Sequence, residues 1–264
     1  MLQAPGSSLR ASVVVPARDE EALVGPCLEA LAAQTSIEPD EYEVLLVLDR
    51  CADGTGERAA GVAAANPHLR LRTLEGPGMG SGRARRAGME AACERLLRVG
   101  RPDGLIASTD ADTVVDPDWL AVQLGAVAAG ARAIGGRITL AEDGALPRHV
   151  RDWHAEYSRA RYRKLLSDPD RRGRAEHWQF SGASLAITAE AYREVGGLKP
   201  LSSLEDEYLE DVLRTRGIPI ERLLAVRATT SPRLRGRAER GLSYDLSLVA
   251  AGHLPSHKGE EQPR

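Results

Sequence analysis

Two hydrophobic rhythms alternate along the first half of this chain. Short apolar runs at residues 11–15, 43–48, 69–74 and 105–109 read as strands, several of them buried on both faces. Between them lie longer stretches with apolar residues at helical spacing. Residues 20–34 carry Leu23, Cys27 and Leu31, flanked by Val24 and Leu28, and predict a helix. Residues 55–65 predict a second helix, capped by Asp53 or Thr55. Residues 83–99 predict a third, opened by a glycine-rich turn at 76–82. Such alternation argues for a parallel sheet with helices on both faces. Ligands of these sheets bind outside the carboxyl ends of the strands. Here those ends carry residues 16–20, Asp49, the glycine turn, Asp110 and Asp112.

The second half is less regular. Helices are predicted over 118–129, 149–166, 189–195, 205–216 and 236–250, and strands over 131–140, 184–187 and 223–228. The charged stretch 167–176 reads as a mobile loop. No repeat or linker divides the chain, so residues 1–250 are expected to form one domain, with 251–264 as a flexible tail.

Composition narrows this picture. Of 264 residues, 42% are apolar and only 4% aromatic, so Leu, Val, Ala and Ile must fill the core. A formal charge of -3 gives no overall pull toward nucleic acid or anionic membrane. Basic residues cluster at 83–86, 159–174 and 233–240, which suits a small anionic ligand. Cys27, Cys51 and Cys93 are scattered and odd in number, so no disulfide framework or zinc spacing follows. With no leader-like segment and no membrane-length apolar window, the expectation is a cytoplasmic protein in a reducing compartment.

The candidate chemistry lies at the predicted strand ends. Asp110-Ala111-Asp112 follows the fourth strand. Residues i and i+2 of a strand point to one side, so both carboxylates can reach one hard cation such as Mg2+ or Mn2+. A lone Asp-x-Asp is more often a polar strand end or an Asx turn, and only convergence with other groups shifts that balance. The turn at 76–82 fails both the dinucleotide and the P-loop patterns. A glycine turn opening a helix with Arg83, Arg85 and Arg86 can still hold a phosphate. Asp49 can accept from a base N–H or a ribose hydroxyl. Glu205 and Asp206 open a helix whose apolar face is Leu209, Val212 and Leu213. Acids there suit the helix dipole and, facing a cleft, a general base. Glu210 and Asp211 are expected to face solvent.

Together these segments resemble the family 2 glycosyltransferases of the GT-A fold, from about residue 11 to 237. Val13-Val14-Val15-Pro16-Ala17-Arg18-Asp19-Glu20-Glu21 resembles that family's opening strand and nucleotide loop. Leu48-Asp49-Arg50-Cys51-Ala52-Asp53-Gly54-Thr55 resembles its base-contacting segment, although Leu48 and Arg50 depart from the usual Asp and Gly. Gly80 to Met89 resembles its Ala-Arg-Asn-x-Gly segment, with Arg86 where Asn is usual. Asp110-Ala111-Asp112 falls on the Asp-x-Asp metal site. Phe180-Ser181-Gly182-Ala183-Ser184 and Val195-Gly196-Gly197-Leu198 resemble the acceptor-side motifs, and the 205–213 helix resembles the one that carries the base.

The resemblance implies an α/β GT-A fold. A Rossmann-like nucleotide-binding half, about 9–116, would be fused to a smaller acceptor and catalytic region with a mixed sheet, about 117–250. It implies a nucleotide-diphosphate sugar held by Pro16, Ala17, Arg18, Glu20, Asp49, Gly80, Arg85, Asp110 and Ala111, with Gly182 and Ala183 lining the sugar. Asp112, with Asp110, would hold Mg2+ or Mn2+. Asp206, or its neighbour Glu205, would deprotonate an acceptor hydroxyl for inverting transfer of a single sugar. His177, Trp178 and residues 168–174 would face the acceptor, and His253 or His257 could complete the metal shell. A homodimer stays open. The rivals are a retaining enzyme of the glucosyl-phosphoglycerate synthase type, a sugar nucleotidyltransferase, and a non-catalytic nucleotide-sugar-binding module.

Overall fold

A computed structural model describes residues 2–142, 146–169, 173–236 and 240–255. The amino-terminal half runs β1 (Ala11–Ala17), α1 (Val24–Ala32), β2 (Tyr42–Leu48), α2 (Thr55–Ala65), β3 (Leu71–Glu75), α3 (Ser81–Arg98), β4 (Leu105–Ser108) and β5 (Thr113–Val115). It is followed by α4 (Trp119–Ala128), β6 (Ala133–Leu140), α5 (Arg148–Ser167), β7 (Leu185–Thr188), α6 (Ala189–Glu194), α7 (Glu205–Thr215), β8 (Ile220–Thr230) and α8 (Leu242–Ala250). The strands form one mixed sheet in the order β3-β2-β1-β4-β7-β6-β8-β5. β1 is parallel to both β2 and β4, whereas β7 runs antiparallel to β4 and β6.

The alternation of strand side chains builds two apolar layers. Val13 and Val15 of β1, with Val44 and Leu46 of β2, face α1, α2 and α4. Val14, Leu45 and Val47 face the other way, into a layer shared with α3, α6 and α7. All seven residues of β1 are buried, which explains why Ser12, paired with Glu43, is its one polar residue. Gly88 lets α3 lie close on this sheet: a Cβ there would come within 2.4 Å of Val14 Cγ1 and 2.9 Å of Val47 Cγ2. That approach lowers the first turn of α3 onto the strand ends. A third, smaller apolar cluster joins α5 to α8 through Leu146, Val150, Leu246 and Val249.

Several elements differ from their sequence expectation. β1 does not stop before Pro16 but continues to Ala17. Its pairing with β4 ends at Val14, so at Pro16 only the β2 side remains paired and a missing N–H is tolerated. α1 begins at Val24 rather than residue 20 because the preceding turn belongs to α2. Asp19 takes a positive φ of 53°, the Glu20 N–H donates to Thr55 Oγ1 at 2.8 Å, and the Glu21 N–H donates to Asp53 Oδ2 at 3.0 Å. The capping residue of α2 is Gly54, with Asp53 accepting from the Thr55 N–H at 3.1 Å. The three-residue β5 was too short to read from sequence; it is held by antiparallel pairing with β8. Of the predicted loop 167–176 and the predicted tail 251–264, residues 170–172 and 256–264 lie outside the described residues.

Candidate active site

The strand ends open into one cleft lined by Pro16, Ala17, Arg18, Glu20, Asp49, Gly80, Arg85, Asp110, Ala111, Asp112, Gly182, Ala183, Glu205 and Asp206. The residues expected to bind the donor, the Asp110 and Asp112 metal candidates and both α7 acids therefore line one cleft. Two topological facts bring them there. The sheet changes from parallel to antiparallel between β4 and β7, placing Gly182 and Ala183 next to the end of β4. Asp110-Ala111-Asp112 is the short link that carries the chain from β4 into β5, at the far edge of the sheet.

Arg85 is the hub. It is 3% exposed. Its Nε donates to Glu205 Oε1 at 2.8 Å, and Nη1 donates to Ser108 Oγ at 2.5 Å and to the Gly182 carbonyl at 2.9 Å. Nη2 pairs with Asp110 Oδ1 at 2.6 Å. One guanidinium thus joins α3, β4, the 182 turn and α7. The two arginines nearest to it in α3 turn away: Arg83 contacts Met79 Sδ and Arg86 pairs with Glu90 one turn on.

The two acids of α7 are separated by this hub. Leu204, in the left-handed region at φ 60°, starts the helix. Glu205 is 4% exposed and locked on Arg85. Burial raises its carboxyl above the usual range, against the pull of Arg85. Asp206 instead stands on the cleft wall, where Oδ2 accepts from the Gly182 N–H at 3.0 Å and Oδ1 accepts from the Glu207 N–H at 2.9 Å. Glu210, expected in solvent, pairs with buried Arg222 at 2.5 Å, because its side of α7 turns toward β8 beside the buried Leu209 and Leu213. Asp211 is exposed as expected.

Asp49 is 1% exposed, and its carboxylate organises the glycine turn. Oδ1 accepts from the Gly78 N–H at 2.5 Å and Oδ2 from the Gly80 N–H at 3.2 Å. The lone pairs expected to meet a base or ribose are thus partly committed to the backbone. Asp112 is electrostatically perturbed as well. Burial and the nearby Asp110 charge push its carboxyl up to about 6, opposed by Arg233. Arg233 Nη2 lies 2.7 Å from Asp112 Oδ2, and the same guanidinium is bidentate on Glu20 at 2.6 and 2.7 Å.

The donor chemistry fits a hard divalent ion: carboxylate oxygens from Asp110 and Asp112 face a cleft shared with the phosphate-suited α3 turn. Among the described residues no group of three or more His, Cys, Asp or Glu side chains is arranged to hold a metal by itself. An ion there would need further ligands from a bound phosphate or water. His253 follows α8 and is not among the described residues of the cleft wall, and His257 lies outside the described residues.

The residues expected to face an acceptor are placed differently from expectation. Trp178 lines the cleft, but His177 is buried behind it. Its Nδ1 accepts from the Gln179 N–H at 3.1 Å and its Nε2 faces the Leu223 carbonyl at 3.3 Å. Burial lowers its pKa to about 4. Gly173 and Arg174 dock on β8 rather than the cleft, through the Arg222 N–H to the Arg174 carbonyl at 2.8 Å. Sequence reasoning missed His154 and Tyr157 of α5, which line the cleft. Trp153, Tyr157 and Arg161 form an i, i+4, i+8 stripe on that helix. Trp153 and Tyr157 stack at 5.2 Å, Tyr157 meets Trp178 edge-on at 5.7 Å, and Arg161 lies over Trp178 at 5.0 Å. The stripe was legible in the sequence as helical spacing. Arg233 was visible only as the start of a basic cluster.

Comparison with known proteins bears on the family and the fold. The family model described as glycosyl transferase family 2 matches residues 12–190. A search of curated proteins finds no match. Among solved structures, a mannosyltransferase from Pyrobaculum calidifontis in complex with GDP-Man and Mn2+ is 21% identical with a TM-score of 0.58, covering 88% of this chain and 60% of that one. Residues 1–349 of S. aureus TarS with UDP-GlcNAc are 16% identical at a TM-score of 0.60, covering 92% and 66%. Glucosyl-3-phosphoglycerate synthase of M. tuberculosis is 16% identical at a TM-score of 0.54, covering 94% and 82%. The chain spans from 37% to 66% of the length of the first five structures it matches. At these identities the likeness is one of fold, the mixed α/β architecture of the GT-A enzymes. No helix among the described residues is long and apolar enough to cross a membrane.

Proposed function

The chain belongs to glycosyl transferase family 2, and from that premise we propose that it transfers a single sugar from a nucleotide-diphosphate sugar to an acceptor hydroxyl with inversion. The observation that carries this reading is the division of the two α7 acids. Glu205 is consumed by Arg85, and Asp206 faces the cleft that holds Asp110 and Asp112. Two backbone N–H donors hold the Asp206 carboxylate on the cleft wall, where a general base would stand.

In this reading Asp49 supports the glycine turn over the nucleotide, and Pro16, Ala17 and Arg18 line the base and ribose. Arg85 keeps Asp110 and Gly182 in register beside the sugar. Asp112, with Asp110, is the candidate ligand pair for Mg2+ or Mn2+. When bound, the ion would offset the charge of the departing diphosphate as a Lewis acid. Tyr157, Trp178 and His154 form the acceptor wall, and an aromatic face beside a hydroxyl-activating carboxylate suits a sugar ring.

A thermal-shift screen of UDP-, GDP- and dTDP-sugars with and without Mn2+ tests the donor site. A Mn2+-dependent rise in melting temperature with one nucleotide is expected, lost in Asp112→Ala. No response to any of the three, or an undiminished response in Asp112→Ala, overturns the assignment. The resemblance in fold to glucosyl-3-phosphoglycerate synthase, over 82% of that chain, favours retaining transfer as the second reading. NMR of the product anomer separates the two.

A further inference from the structure

The carboxylates of the cleft already have a cation of their own. Glu20, Asp110 and Asp112 all line the cleft at the strand ends. Arg85 neutralises Asp110 at 2.6 Å. Arg233 serves the other two: Nη2 reaches Asp112 Oδ2 at 2.7 Å and Glu20 Oε1 at 2.6 Å, and Nη1 reaches Glu20 Oε2 at 2.7 Å. The guanidinium therefore bridges the acid best suited to a metal and the acid of the β1 loop. A divalent ion entering beside it would meet a fixed positive charge at contact range. The Arg233 side chain is 23% exposed, against 11% for Asp112 and 6% for Glu20, so it has the open side from which to leave.

Resting on the donor-site reading above, we propose that Arg233 is the resident cation at Asp112 in the unliganded chain, that a divalent ion enters by displacing it, and that the released guanidinium re-pairs with the phosphates of the incoming nucleoside diphosphate. The charges balance only if both ligands arrive. A bare ion would leave Arg233 unpaired next to a dication. A nucleoside diphosphate brings more negative charge than the ion neutralises, and its oxygens match a guanidinium fork as a carboxylate does. Ion and nucleotide should therefore each raise the affinity for the other. The arginine thus makes the site selective for the metal–diphosphate complex over the free metal.

The test uses Mn2+ alone, followed by its electron paramagnetic resonance signal, on the full chain and on Arg233→Gln and Arg233→Lys. Arg233→Gln is expected to bind Mn2+ about 10-fold tighter than the wild type, and Arg233→Lys to stay near it. With UDP or GDP present the order should reverse, the wild type binding the metal–nucleotide complex about 10-fold tighter than Arg233→Gln. Should Arg233→Gln fail to fold, the wild type decides alone: saturating nucleotide should raise its Mn2+ affinity at least ~50-fold. Unchanged or weaker Mn2+ binding in a folded Arg233→Gln, or Mn2+ affinity in the wild type indifferent to nucleotide, overturns the proposal. If no nucleotide binds the wild type with Mn2+ present, the donor reading and the re-pairing with phosphate both fail. The Mn2+-alone comparison then decides displacement by itself.

Discussion

Replacing Arg85 with Met removes the one group that joins four elements of the cleft. The substitution keeps the long unbranched stem and deletes every donor. Glu205, 4% exposed, loses its 2.8 Å partner and becomes a buried carboxylate without a counter-charge. Breaking such a pair from one side costs about 3–5 kcal/mol. The Gly182 carbonyl also loses a 2.9 Å donor, a further cost of about 1 kcal/mol. The Asp110 contact adds little to stability, since that carboxylate is 35% exposed and can turn to water. The expected loss is therefore about 4–6 kcal/mol, most of it traceable to Glu205. Arg85→Met/Glu205→Gln should recover at least ~2 kcal/mol of it, because the stranded charge is gone. The deficit should also depend on pH. Without Arg85 the folded-state pKa of Glu205 rises further above its unfolded value. The penalty is then smallest below the unfolded pKa, near ~4.3, and grows as pH climbs toward 7. Equilibrium urea unfolding at pH 4.5 and 7 measures all of this. A single-variant loss under ~1 kcal/mol at pH 7, or a double variant no more stable than the single, would refute the reasoning.

Four further outcomes follow from the same geometry. Asp206→Asn should keep nucleotide affinity by calorimetry while transfer falls about 10²–10⁴-fold; near-normal turnover would move the base elsewhere. Asp49→Ala leaves the Gly78 and Gly80 N–H groups without their acceptor, so nucleotide affinity should weaken by about 10-fold, and unchanged affinity would detach the glycine turn from the donor site. Gly182→Ala puts a Cβ 2.4 Å from Arg85 Nη2 and should cost about 1–3 kcal/mol, whereas the helical Gly61→Ala, with open space around it, should gain up to about 1 kcal/mol; equal melting temperatures for the two would count against the packing. His177, with its pKa lowered to about 4, binds a proton less readily folded than unfolded. Its contribution is complete above the unfolded value near ~6.5 and falls by up to about 3 kcal/mol as pH drops to 4, a slope that His177→Gln should flatten in acid-unfolding curves.

The amino-terminal half of the fold was legible because its strands are buried on both faces and its helices on one. α2 occupies the expected Thr55–Ala65, and β4 and α3 begin or end within two residues of expectation. The motifs at the strand ends were legible too, since a parallel sheet brings its carboxyl ends to one edge whatever the loops between them contain. The sequence by itself therefore determined the fold class and the place where the cleft opens. It could not divide labour between neighbours of like chemistry. Glu205 and Asp206 are adjacent acids, and only the packing of α7 turns one onto Arg85 and leaves the other in the cleft. Arg83, Arg85 and Arg86 are three bases in four positions, and only helical phase selects the buried one. Arg233 pairs with Glu20 from 213 residues away, and His154 and Tyr157 reach the cleft because α5 is seated on α8. Such pairings depend on how distant segments are brought together by closing the sheet and packing its helices. Local periodicity carries no trace of them, so the cation resting on Asp112 belongs to the tertiary structure alone.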